Sequence, residues 1–188
     1  MTLWEVITSA REGYLTAYRE AIRQQRKNLR KLQVEALVTP AGAEHVPEDF
    51  RSFRADLLWQ QDGKPMVGAL DLGAVGVGGM CDTVYPDGQR IGVLFLRWDD
   101  CEFQCTPALD VSDALIAWLR EWSDRGDAKP VDADGLRGAV HSATPPQPSP
   151  DRSAMVFAID FGSAPPETFI ALVAALFGCG VRSIQVGS

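Results

Sequence analysis

Three carboxylates crowd one turn of this chain. Asp99, Asp100 and Glu102 follow directly on Ile91–Trp98, a stretch that is almost wholly apolar. A carboxylate held at a strand end can act as a general base or a metal ligand, and it can equally meet a basic side chain of a partner. General-base chemistry of this kind wants a histidine close by. The two histidines, His45 and His141, lie in Pro/Gly-rich surroundings far from the turn, with no ligand-like spacing to a cysteine. Asp110 and Asp113 come next, at the start of an amphipathic segment. There they complement the helix dipole, and Asp110 can cap. No catalytic residue is assigned on this pattern.

The glycines of 73–79 suggest a phosphate cradle, because bare backbone N–H groups can approach an anion closely. The spacing fails at Cys81, no Gly-Lys-Ser/Thr follows, and a strand rather than a helix comes next. A loop or a bulged strand is expected, and no cofactor. Cys101 and Cys105 are wrongly spaced for a Cys-x-x-Cys pair; on a strand their sulfurs would share a side about 13 Å apart, too far to bond. With Cys81 and Cys179 they are expected to be free thiols, and no metal site is assigned. Asp160-Phe161-Gly162 matches the magnesium motif of protein kinases only as a tripeptide, and it reads as a strand end with a turn.

The elements that must position these residues are mostly legible. Thr2 and Glu5 form a capping box. Trp4, Ile7, Tyr14, Tyr18, Ile22 and Leu29 then recur near helical spacing, which predicts a long helix over 2–38 that ends before Pro40 or breaks once. It packs on the sheet or pairs with a second copy. Residues 41–52 read as a connector with little order. Asp62-Gly63 and Pro86-Asp87-Gly88 predict two hairpins within 53–105. Val111, Leu115, Trp118, Leu119 and Trp122 predict a helix over 110–123. The prolines of 144–150 read as an extended surface linker. Residues 155–186 read as strand–helix–strand, implying parallel strands. The expected fold class is α+β in one domain, 1–188: a mostly antiparallel sheet of five to seven strands, helices packed on one face, and a C-terminal βαβ unit.

The chain carries 18 basic and 25 acidic residues, net −7. Such a balance repels nucleic acid and anionic lipid and favours a basic protein partner. The one basic run, Arg19–Lys31, lacks interleaved aromatics, so salt bridges to the acidic remainder are expected of it rather than RNA contact. No apolar run is long enough for a membrane helix, and Met1–Glu5 does not read as a secretory leader, so a cytoplasmic location is the expectation. Trp4, Trp118 and Trp122 are expected in the core. Trp59 and Trp98, at strand ends, are expected as interface anchors.

Size, acidity and missing catalytic equipment, with Trp98, Asp99, Asp100 and Glu102 in one turn, resemble the small acidic immunity proteins with which bacteria neutralise a cognate toxin. The resemblance is one of general character. It implies a non-catalytic monomer or homodimer that binds and occludes a basic toxic effector through Trp98, Asp99, Asp100, Glu102 and Trp59. Two other readings stand beside it: an adaptor or chaperone of a larger bacterial assembly, and an enzyme with an unfamiliar carboxylate site.

Overall fold

The computed structural model describes residues 1–73 and 75–187; Ala74, within the glycine stretch, and Ser188 lie outside them. Helix α1 (Leu3–Asn28) begins at the expected capping box: Glu5 N donates to Thr2 Oγ1, and Thr2 N donates to Glu5 Oε2. Ile7, Tyr14, Tyr18 and Ile22 form its buried stripe, whereas Trp4 is 47% exposed and not core.

The helix does not continue to 38. It stops at Asn28, and 33–38 form strand β1 (Gln33–Val38). The apolar stripe had run out at Leu29, and Lys31 takes a left-handed backbone (φ 53) that no helix accommodates. The connector expected to lack order holds a 3-10 turn (Ala43–His45) and a short helix, α2 (Glu48–Arg51).

Two sheets follow where one was expected. The smaller has the order β1-β2-β3, all antiparallel, with β2 at Phe53–Gln61 and β3 at Lys64–Gly68. Asp62 and Gly63 both have positive φ (50 and 77), as a two-residue hairpin turn of the primed type requires. The larger sheet contains β4 (Gly76–Val84), β5 (Arg90–Arg97), β6 (Cys101–Thr106), β7 (Ser142–Ala143), β8 (Gln147–Pro148), β9 (Met155–Asp160) and β10 (Ser183–Gly187). Its order is β4-β5-β10-β6-β9-β7, with β8 also on β9. Among the described residues, only β5 and β10 pair in parallel. The glycines of β4 belong to a bulged strand, irregular between Gly78 and Cys81, and a Cβ at Gly76 would meet the Phe95 ring at 2.5 Å. The segment expected as a linker at 144–150 instead lies along β9.

The fold is α+β, as the sequence implies. Helices α3 (Ser112–Trp122) and α4 (Glu167–Gly178) join α1 on the core side. In β6 alternation is strict: Cys101, Phe103 and Cys105 are buried, Glu102, Gln104 and Thr106 exposed. Phe103 stacks on Phe157 across the ladder and meets Phe169 of α4, which marks the helix-covered face. The opposite face carries Glu102, Gln104 and Leu94, the last 59% exposed. The β9–α4–β10 unit has parallel strands with β6 inserted between them, since both pair antiparallel with β6. Among the described residues, no helix is long and apolar enough to cross a membrane.

Candidate functional site

The residues singled out in the sequence are not one patch. Trp98 is fully buried; its indole stacks on Phe161 at 4.6 Å and its Nε1 donates to Gly162 O at 2.9 Å. It is therefore a core residue, and the expectation of an exposed anchor is corrected. A strand end is a wet edge only if nothing crosses it, and here the chain after β9 does. Trp59 lies on the other sheet, half-buried, its ring so close over Gly68 that a Cβ there would sit 3.0 Å away. Asp99 and Asp100 do share a turn. Arg97 reaches both, at 3.1 Å and 3.6 Å, and the Asp99 bond raises its pKa. Glu102 points away from the helices into a cavity of about 580 Å³ walled by the 144–150 segment.

A second cluster went unrecognised in the sequence. His141, its side chain 1% exposed, is surrounded by three carboxylates. Glu35 Oε1 lies 2.9 Å from Nε2, and Asp56 Oδ1 and Asp160 Oδ2 lie 3.4 Å and 3.5 Å from Nδ1. Glu35 falls opposite Asp56 across the β1–β2 ladder, between the pairs Val34–Leu57 and Ala36–Ala55. Two like charges so placed repel; the imidazolium beside them offsets part of that repulsion. Glu35 itself has a left-handed backbone, φ 52, and the carbonyl so turned accepts from Arg54 Nη1 at 2.7 Å. Arg54 is wholly buried. It also donates to the carbonyls of Ser123 and Asp124 and pairs with Asp127 at 3.0 Å, which ties β2 to the loop after α3. Buried ionic contacts thus join the small sheet to the larger one, beside Leu57, which lies in the shared hydrophobic core.

Glycine is required at position 162. Its φ is 53, and a Cβ there would stand 2.0 Å from His141 Cδ2. Trp98 Nε1 on its carbonyl and Asp160 Oδ1 on its N–H, at 2.9 Å each, hold it in place. The buried tryptophan therefore positions the backbone that leaves room for the histidine.

Burial alone would depress the pKa of His141. Asp160, Asp56 and Glu35 outweigh it and hold the imidazole well above its ordinary value. Burial would likewise raise Glu35, but His141, Ser163 and the Arg137 N–H hold its carboxyl below the usual range. Asp160 goes the other way: burial raises it, and His141 only partly compensates. Burial also raises Tyr14 and Tyr18 beside the cluster.

The sign of the pH dependence follows. A histidine raised in the folded state contributes stability that is complete below its unfolded value of about 6.5 and is lost as pH rises through the folded value. Lowered Glu35 contributes above its unfolded value and loses that as pH falls; raised Asp160 opposes this loss. Stability should therefore hold level from the upper carboxylate range to about pH 6.5 and decline above it. Urea unfolding near pH 5, 7 and 9 should show this decline. Tyr14 and Tyr18 titrate in the same sense, so the His141→Ala chain is the control, and an identical alkaline slope in it refutes the assignment to His141.

Chemically, the histidine is sealed. A general base must reach the proton it abstracts, and this ring is closed off from solvent. The atoms that do reach solvent belong to Asp56 and Asp160, whose side chains are 15% and 28% exposed. Among the described residues, no group of three or more His, Cys, Asp or Glu is placed to hold a metal ion. Cys81, Cys101 and Cys105 are buried free thiols, and burial pushes Cys105 up to about 12. Of the basic run, Arg19 and Arg23 pair with Asp132 or Asp134, as expected of an acidic chain. Compared with family models, with curated proteins and with solved structures, the chain matches none.

Proposed function

We propose that this protein is a non-catalytic binding module for a basic protein, in the manner of an immunity protein that occludes a toxic effector. The acidic end of the larger sheet is its binding surface. The observation that carries the reading is one of placement. One step beyond Cys101–Ile159, the last pair of the β6–β9 ladder, come Asp100 and Asp160. Asp99, Asp100, Glu102, Asp160 and, through His141, Asp56 thus gather at one sheet end, beside a face that the helices leave open. A rigid sheet presents such groups with little ordering entropy to lose. The sealed histidine supports binding over catalysis.

The experiment is affinity purification from the native host, followed by calorimetry with the purified partner. The triple change Asp99→Ala, Asp100→Ala, Glu102→Ala should leave circular dichroism unchanged. It should weaken binding about tenfold or more and reduce its salt dependence. A stoichiometric basic partner with this response supports the proposal. Undiminished binding at low and high salt refutes the surface, and recovery within a defined multi-protein machine favours an adaptor instead.

A further inference from the structure

Strand β4 closes one end of the larger sheet, and among the described residues no strand pairs with its outer side. Along such an edge alternate residues turn N–H and C=O outward, a template for another strand. The other sheet edges are blunted. β7 has only two residues, and prolines follow it at 145, 148 and 150. β3 opens on Lys64 and Pro65. β1 lies against the 127–137 loop, where Arg137 N donates to Glu35 Oε2. β4 has nine residues and neither lysine nor proline. Its bulge between Gly78 and Cys81 bends the edge but leaves a regular run beyond it, Cys81–Val84.

Apolar side chains gather at this edge. Met80 is 80% exposed and Val84 65%. Exposed Leu94 of β5 lies opposite the bulge, between the pairs Gly78–Phe95 and Cys81–Val93. On the helix side, Met1 Cε lies 3.2 Å from the position a Cβ at Gly79 would take, and Trp4, in the first turn of α1, is exposed. These are five of the nine large apolar side chains that the described residues expose. Single scattered ones are normal on a surface; a cluster marks an interaction site.

Charge selects the occupant. The one charged residue of the strand, Asp82, is held by Arg90 in two bonds of 2.9 and 2.6 Å. The edge therefore offers no field to a basic partner, which the carboxylates at 99–102 attract instead. A neutral edge is complemented by an equally neutral strand with a free edge of its own. Among the described residues, β4 itself is that strand. A two-fold axis normal to the sheet sets two copies of it antiparallel, the same patch on both sides of the contact.

We propose that β4 pairs antiparallel with β4 of a second copy of this chain, joining two seven-stranded sheets into one across a two-fold axis. The proposal does not depend on the binding surface at Asp99, Asp100 and Glu102.

Sedimentation equilibrium of the full chain should show a monomer–dimer equilibrium. One strand pair with flanking apolar contacts is a small interface, so Kd should be on the order of 10 µM. Hydrogen exchange locates the contact: amides within Cys81–Val84 should exchange more slowly at about 200 µM chain than at about 1 µM, and those of Lys64–Gly68 alike at both. The double change Met80→Lys, Val84→Lys alters two exposed side chains and should leave circular dichroism unchanged. It should raise Kd about tenfold or more, because lysine on an edge opposes pairing and meets its like across the axis. If that variant does not fold, the exchange comparison, which uses the wild type alone, is decisive. A chain still monomeric at about 500 µM overturns the proposal. So does a dimer whose Cys81–Val84 amides are not slowed, or a double variant that dimerises as the wild type does. Slowing of these amides by a different purified protein, without dependence on chain concentration, assigns the edge to a foreign strand and overturns the second copy. The Asp99, Asp100, Glu102 triple variant should dimerise as the wild type does, so failure of the partner surface and failure of this one are separable.

Discussion

Replacing His141 with alanine should destabilise the fold by about 3–5 kcal/mol, the usual cost of removing one partner from a buried ion pair. For a chain of this size that lowers Tm by roughly 6–20 °C. The imidazolium is the common counter-charge of Glu35, Asp56 and Asp160, and without it Glu35, whose side chain is 0% exposed, keeps a buried charge compensated by the Arg137 N–H at 2.5 Å and by Ser163. Urea unfolding measures the loss. The double change His141→Leu, Glu35→Leu tells whether charge or volume is responsible, because replacing both partners of a buried pair by apolar groups is often near neutral. A loss below about 1 kcal/mol for His141→Ala would mean that the cluster is not what joins the sheets.

Gly162→Ala should cost about 3 kcal/mol or more through two separable effects. A left-handed backbone charges any side chain about 1–2 kcal/mol. The rest comes from the new methyl, which would lie 2.0 Å from Cδ2 and 2.4 Å from Nε2 of His141 and so drive the ring off Glu35. The two effects part in a double-mutant cycle. In the His141→Ala background the same substitution should cost only the backbone share. Equal costs in both backgrounds would show that the steric clash is relieved without moving the histidine.

Locally governed features were legible in the sequence. Asp62-Gly63 specified its turn because few residues accept positive φ twice in succession, and the alternation of Cys101–Thr106 specified which thiols are buried. The helix–strand boundary at Asn28 was missed because the basic residues 26–31 suit a helix as well as a loop, and only pairing with β2 makes Gln33–Val38 a strand. The histidine cluster was missed for a different reason. Glu35 and His141 are 106 positions apart, and the prolines after His141 make its surroundings look like a linker. A signal was nevertheless present. Glu35 interrupts an apolar stretch, and Asp160 closes Met155–Ile159, which is otherwise apolar. A carboxylate in such a strand needs a buried partner. The basic residues outside the solvated helix face, Arg54 and His141 among them, are the candidates for that partner. Trp98 was misread because its place at a strand end says nothing about what crosses over it.

Strand β10 sits between β5 and β6, yet it follows every other strand of its sheet in chain order. Until the ribosome has released 183–187, the β4–β5 hairpin and the β6–β9 ladder are two half-sheets with nothing between them. Each then shows an unpaired inner edge, the kind of template on which nascent chains associate wrongly. Closing the gap joins residues far apart in the chain, which is slow. The larger sheet can therefore be completed only after 183–187 have left the ribosome, so one short strand sets how late its two halves can join.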